Sequence, residues 1–523
     1  MDAGDADATR VDVLIAGAGP TALTLALELA SYDVSCVLVG DQTGDASSSL
    51  HGEVVLDSDA VAILDRLTTG AVREHGCAWT STRITVGRLA RGGDSAAGTT
   101  RTEPKPLLNI TPADLSSTLR AAVADSPRVT FAPAEQVIAL RQGRATDEGH
   151  VSVTTQDASG DRRSWRPRFV VGADGNESPV RDLLGLPFDG PARGTLVRTI
   201  EIETDAELPV ERSVVIDPDG GGWALEVLPL PRRQWRLRWV LADGDPAATP
   251  APAELDGYVR AVLGDAATFT VLRAATEVVR HRLAPRFSVD HVFLAGAAAH
   301  TFEPAGGRSL SSGIQDAENL GWKLAYAAHG HAGEPLLESY SSERRRAAHA
   351  DLEQIDAAMA ILAPRDRWAR LRRRALLAAP GMRVDIGAPP TPPIYRESPM
   401  IQPGCGGLAP ELPVRDLNGW SGPLGALRGG PMVVVAIGST AQEAHELVAP
   451  IPSLLPAAAL PPFRLVAGVA ADATDGIDLA GAALGNFLII RPDGHFAWKV
   501  NGENDPTDVA ENITAVLQTA TGR

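Results

Sequence analysis

Three things are scarce in this 523-residue chain: cysteine, lysine and long apolar runs. The 3 cysteines, Cys36, Cys77 and Cys405, are far apart and form no Cys-x-x-Cys pair. That excludes a dithiol redox centre and a zinc site built on paired thiols, and it fits a reducing cytoplasm. No apolar stretch reaches the length of a membrane span. The start, MDAGDADATR, has neither the basic head nor the apolar core of a signal peptide. Aromatic residues make up only 5%. The net charge of −17 argues against nucleic acid and against an anionic membrane as partners. What is plentiful is core: 44% hydrophobic residues, enough for two to four domains at this length.

The apolar run Val11–Ile15 meets a glycine turn, Gly17-Ala18-Gly19-Pro20. A helical pattern over Thr21–Ala30 and a second apolar run, Val34–Val39, follow, predicting a β-α-β unit. Glycines at such a turn let the backbone approach a pyrophosphate held at the helix N-terminus; they serve equally for helix–sheet packing. A dinucleotide site of this type needs an acid at the end of the second strand. That place falls on Gly40, with Asp41 next to it. From about Gly190 to Arg282 the pattern changes to alternating strands, as in QWRLRWVLA. A long, Arg-rich helical region then runs to about Leu377. The proline-rich Ala388–Pro393 reads as a stiff linker, and NFLIIRPDGHFAWKV as a hairpin turning at Pro492-Asp493-Gly494.

The segment Val292–Ala325, VFLAGAAAHTFEPAGGRSLSSGIQDAENLGWKLA, resembles the second flavin-binding segment of the FAD-dependent aromatic hydroxylases. Its frame is intact at Gly296, His300, Pro304, Gly306, Gly307, Gly313, Asp316, Asn319, Trp322 and Lys323. Val170–Gly175 with Ser178 and Arg181 is similar to the same family's DG motif, and the tail to the thioredoxin-like domain of its polyketide branch. The resemblance implies a discontinuous Rossmann-type FAD-binding domain (1–189 and 284–387). It further implies an antiparallel-sheet substrate domain (190–283), a linker (388–400) and a thioredoxin-like domain (401–523). An aromatic, polycyclic polyketide substrate is also what it implies.

The family's chemistry is altered where it matters. The resemblance places an acid at Gly40, an Arg at Gly52, an Asp at Ala297, a Gly at Ser309 and an Asn at Ser311. A charge-assisted hydrogen bond is worth roughly 1.5–3 kcal/mol, so three losses remove up to about 4–9 kcal/mol of flavin binding. That corresponds to about three to six decades in affinity.

Residues expected near a cofactor are Gly17, Gly19, Asp41, Asp174, Gly175, Gly306 and Gly307. Asp174 can equally cap the turn after it and pair with Arg181. His51, Arg308 and Ser311 are the candidates for acid/base and oxyanion work, since a helix beginning near Ser311 presents free N–H groups. Ser311 as a plain N-cap and His300 as a family scaffold residue are the alternatives. Trp223, Trp235 and Arg236 are candidates for stacking on and binding fused rings, or else ordinary core tryptophans and a solvated face. No metal site is expected. Two main readings stay open: flavin-independent acid/base chemistry with no cofactor, or an FAD- and NAD(P)H-dependent monooxygenase. A non-catalytic partner of such a hydroxylase is a third. A homodimer or an association with enzymes of the same pathway is left open.

Overall fold

The strand Thr9–Ala16 ends on four buried residues, Val13 to Ala16, and turns sharply at Gly17. The turn demands glycine. Gly17 has φ +123°, and a Cβ there would lie 2.1 Å from the Ala173 carbonyl oxygen. A computed structural model provides the coordinates; it describes residues 8–40, 54–87, 100–102, 106–142, 151–190, 194–217, 223–241, 252–302, 308–364, 366–377, 392–409, 411–456, 460–469, 485–502 and 505–522.

Thr9–Ala16 lies inside an eight-stranded sheet. It is parallel to Arg162–Gly172 on one side and to Cys36–Gly40 on the other, with Val13 opposite Phe169 and Cys36. Continuous apolar runs suit strands buried on both faces. The helix Pro20–Ser31 packs against the helix Arg308–Ala328. Their approach is close: a Cβ on Gly313 would stand 2.5 Å from the Thr21 hydroxyl oxygen. Packing alone thus requires glycine at position 313 of the Val292–Ala325 segment.

The second sheet has seven strands in the order Phe269–Val279, Thr195–Thr204, Gln234–Leu241, Ala224–Leu230, Arg212–Ile216, Thr82–Val86, Thr100–Thr102. The expectation of an antiparallel sheet from 190 onward needs one correction. Two strands come from the first third of the chain, and Arg212–Ile216 pairs with Thr82–Val86 in parallel. One face is apolar, built from Ile200, Ile202, Leu237, Trp235 and Trp239 under the helix Pro252–Leu263. On the other, Val214, Ile216, Ala224 and Val240 join the main core of the first domain.

The C-terminal sheet has six strands around Met432–Gly438, flanked by the helices Ala441–Val448 and Pro506–Ala520. The expected hairpin is there: Gly494, at φ +78°, donates to the Arg491 carbonyl at 2.9 Å. Among the described residues no helix is long and apolar enough to cross a membrane.

Candidate active site

The helix Arg308–Ala328 begins one turn before Ser311, so Ser311 is not its N-cap. Its hydroxyl oxygen accepts the Asp57 N–H at 3.0 Å, 254 residues away in sequence. Asp57 caps the helix Ser58–Thr68 through the Ala60 N–H at 2.7 Å, and its second oxygen accepts from the Gln315 amide at 3.3 Å. Burial, reinforced by Asp59 nearby, pushes the Asp57 carboxyl up to about 7. An acid that titrates near neutral beside Ser311 was not expected from the sequence. The only local signal was an Asp immediately before an apolar helical run, which reads as a cap.

Arg308 is buried, and both arms of its guanidinium are engaged, with Asp351 at 2.7 Å and Gln354 at 2.7 Å on the helix Glu334–Leu362. Ser309 accepts from the Phe302 N–H at 3.3 Å. His300 sits fully buried between Phe287 and Phe302, ring centroids 5.7 and 4.8 Å away. Its Nε2 faces Asp316 at 2.7 Å; Asp316 also takes the Gly296 N–H at 2.9 Å and the Arg344 Nε at 2.6 Å. Burial opposes the Asp316 carboxylate, yet His300 and Arg344 hold it down at about 2. This buried cluster, with the Asp316 carboxylate at its centre, fixes the Gly296 turn.

Asp174 accepts the Ser178 hydroxyl and the Val180 N–H at 3.1 Å, and burial raises its carboxyl. The expected pairing with Arg181 is replaced by another arrangement. Arg181 donates to the carbonyls of Ala298 at 3.2 Å and Asn176 at 2.9 Å, under the Phe188 ring. It thereby ties the DG turn to the Gly296 turn. Gly175 takes the left-handed turn at φ +89°. Gly19 caps the first helix with open space above it.

Trp235 and Arg236 are neighbours on opposite faces. Trp235 packs in the core under the helix Pro252–Leu263, and Trp223 borders the same cluster. Arg236 points to the face turned toward the first domain, bonded to Glu201 at 2.5 Å. It is one of a layer: Arg273 also meets Glu201 at 3.0 Å, and Arg212 and Arg238 share Glu226, at 2.6 and 2.7 Å. Strand alternation thus puts Trp235 in the core and Arg236 in a buried ion-paired layer, neither on a solvated face. His51, Asp41, Gly306 and Gly307 lie outside the described residues. Among the described residues no group of three or more His, Cys, Asp or Glu is arranged to hold a metal ion.

The matched family model is the FAD binding domain, over residues 10–354, and the chain belongs to that family. It is 29% identical to 3-(3-hydroxy-phenyl)propionate/3-hydroxycinnamic acid hydroxylase 2 of Burkholderia vietnamiensis, over 71% of this chain and 66% of that one. It is 31% identical to rifampicin monooxygenase of Streptomyces venezuelae, over 67% of this chain and 71% of that one. The match thus spans about two thirds of the length of these relatives. In fold it is similar to the flavin-dependent monooxygenase PieE, solved with FAD and substrate, at a TM-score of 0.79 and 20% identity, covering 98% of this chain and 99% of PieE. It is similar also to aklavinone-11 hydroxylase, solved with FAD and aklavinone, at 0.74 and 21%, again over 98% and 99%. The fold is that of the FAD-dependent aromatic hydroxylases.

Whether the residues present fit FAD is a separate matter, and at the described positions they do not. Position 40 carries no carboxylate, and a Cβ there would already stand 3.0 Å from the Gly17 carbonyl carbon and 3.2 Å from the Ala18 nitrogen. A side chain at position 40 would require the Gly17–Ala18 backbone to give by a few tenths of an ångström. Ala297, exposed in the short 3-10 turn Gly296–Ala298, offers no acceptor. The hydroxyls of Ser309 and Ser311 are committed to backbone N–H groups.

Proposed function

We propose that this protein is a tailoring enzyme for a polycyclic aromatic polyketide that uses the hydroxylase fold without a flavin. In this reading it catalyses a non-redox dehydration, cyclisation or rearrangement by proton transfer. The observation that carries the reading is the paired loss at Gly40 and Ala297, with the turn packed in at position 40. Arg212, Arg236, Arg238 and Arg273 are held by Glu201 and Glu226, an ion-paired layer that stiffens the second sheet where it meets the first. The acid/base groups are drawn from His51, Ser311 and Asp57, with Arg308 holding the start of the Ser311 helix against Asp351.

The family match supports the second reading, an FAD- and NAD(P)H-dependent monooxygenase, as does the retained Gly17 turn. The two part company in one measurement. The purified chain is scanned between 350 and 500 nm and titrated with FAD. No absorbance band and no saturable binding in the micromolar range are expected; a yellow protein with one FAD per chain overturns the flavin-free reading.

A further inference from the structure

The first domain and the C-terminal sheet do not close completely onto each other. The last turns of the helices Pro20–Ser31 and Ser58–Thr68 meet residues 426–431 around a cavity of about 570 Å³. Small-molecule sites typically span roughly 300–1,000 Å³. The charge on its wall is of one sign: Arg66, Arg428 and Arg464 line it, and among the described residues no Asp or Glu does. The acids stand behind. Arg428 is spent on them, with Nε and Nη2 on Glu318 at 2.7 and 2.5 Å and Nη1 on Asp59 at 2.6 Å. Arg66 bonds through Nη2 alone, to Glu28 and to Glu318 at 3.3 Å, and its buried Nε has no partner. Its Nη1 lies along Gly429, where a Cβ would come within 2.2 Å of it; this left-handed glycine, at φ +79°, leaves the guanidinium its room. Arg464 holds Asp416 through Nε at 3.2 Å and through Nη2, which leaves Nη1 open.

Open guanidinium donors call for an anionic acceptor. The rest of the wall calls for something else, since Leu27, Leu67, Leu427 and Val433 make it apolar. A second cavity of about 400 Å³ adjoins the first, sharing Ser31, Gly429, Gly430 and Pro431, and Tyr32, Tyr326 and Pro462 line it. The two tyrosine hydroxyls are already donated, to the carbonyls of Gly430 at 3.2 Å and Pro462 at 3.0 Å. What these residues still offer is ring surface. We propose that this seam binds a planar aromatic acid, its carboxylate on Arg66 and Arg464 and its ring along the apolar wall toward Tyr32 and Tyr326. A small inorganic anion would leave that wall uncovered, and a neutral ring would leave the donors unmet. Neither Asp57 nor Ser311 lines the cavity, so it is separate from the candidate active site.

The experiment is isothermal titration calorimetry of the full chain with 2-naphthoate, at neutral pH and physiological salt, where saturable binding is expected. Arg464→Gln is expected to weaken it by about 10-fold or more, as the loss of a charge-assisted hydrogen bond implies. Ala30→Glu sets a carboxylate into the cavity and is expected to abolish binding there. Replacing Arg66 itself would strand the buried Glu28, so the test rests on these two variants, which keep the Arg66 and Arg428 ion pairs; circular dichroism checks that both fold. Naphthoate binding that survives both variants lies elsewhere and overturns the inference, as does the absence of saturable binding. So does inorganic phosphate that displaces naphthoate at equal concentration, because the apolar wall would then contribute nothing. A chain that binds FAD refutes the flavin-free reading and leaves these outcomes unchanged.

Discussion

Putting back what the cofactor pocket lacks is the most direct test of why it lacks it. Ala297 already carries a Cβ and is exposed on its 3-10 turn, so Ala297→Asp adds a carboxylate without displacing anything. One charge-assisted hydrogen bond to a sugar hydroxyl is worth roughly 1.5–3 kcal/mol. At 1.4 kcal/mol per decade this raises FAD affinity by about 10- to 100-fold. Gly40→Glu restores a second bond but meets the Gly17–Ala18 backbone at 3.0–3.2 Å. Crowding of that kind costs about 1–3 kcal/mol, which cancels most of the gain. The expected order of affinity is therefore Ala297→Asp above Gly40→Glu, with Gly40→Glu close to wild type and lower in melting temperature. Quenching of flavin fluorescence on titration measures all three, and calorimetry the stability. If Gly40→Glu instead binds FAD best and loses no stability, the turn is not packed as described and the argument from position 40 fails.

Four further outcomes are expected. Arg491 donates to Glu343 at 2.7 and 2.9 Å and to Asp493 at 2.5 Å, all fully buried, so Arg491→Met should cost about 3–5 kcal/mol and lower the calorimetric transition of the C-terminal sheet. Gly17→Ala, which sets a Cβ 2.1 Å from the Ala173 oxygen at φ +123°, should leave little soluble protein, as measured by expression and circular dichroism. Burial, only partly offset by Arg428 and Arg66, pushes Glu318 up to about 7 from an ordinary 4.5. The native state then holds a proton there that the unfolded chain releases. Stability should therefore fall as pH rises from about 4.5 to 7, by about 3 kcal/mol at 1.36 kcal/mol per pH unit. Asp57 acts in the same direction. Glu318→Gln should flatten that fall in a melting series from pH 5 to 8, and an unchanged slope would remove Glu318 from the account. Finally, Asp57→Asn should shift or abolish the neutral limb of the pH–rate profile once a substrate is in hand, whereas a purely capping role would lower stability and leave the profile in place.

What could be seen in the chain beforehand was what lies close along it. The Val11–Ile15 strand, the glycine turn and the helix after it are local patterns, and so is the hairpin at Gly494. The second sheet was visible as strands but not as a topology. The pairing of Val214 with Ile84 spans about 130 residues and leaves no periodic trace. The site was least legible. Period two alone separates Trp235 from Arg236, but nothing in the chain says which face turns toward the first domain. Ser311 read as a cap because its true partner, the Asp57 N–H, lies 254 residues earlier. Arg308 stood as a catalytic candidate because its partner Asp351 is 43 residues further on.

Arg428 reaches across to Glu318, at 2.5 Å, and Asp59, at 2.6 Å, while Arg491 meets Glu343 and Tyr395 meets Arg344. Every one of these bonds joins the last quarter of the chain to helices that shape the pocket. The two parts therefore share a single set of charges, and neither can be exchanged alone. A chimaera that takes its C-terminal sheet from a relative inherits the donor's charges opposite this chain's Asp59, Glu318 and Glu343. Unless the graft brings its own arginines to places 428 and 491, it buries uncompensated acids beside the Arg308–Ala328 helix. Shuffling domains among these hydroxylase folds is thus governed by the ledger of this seam, more than by the match of the backbones.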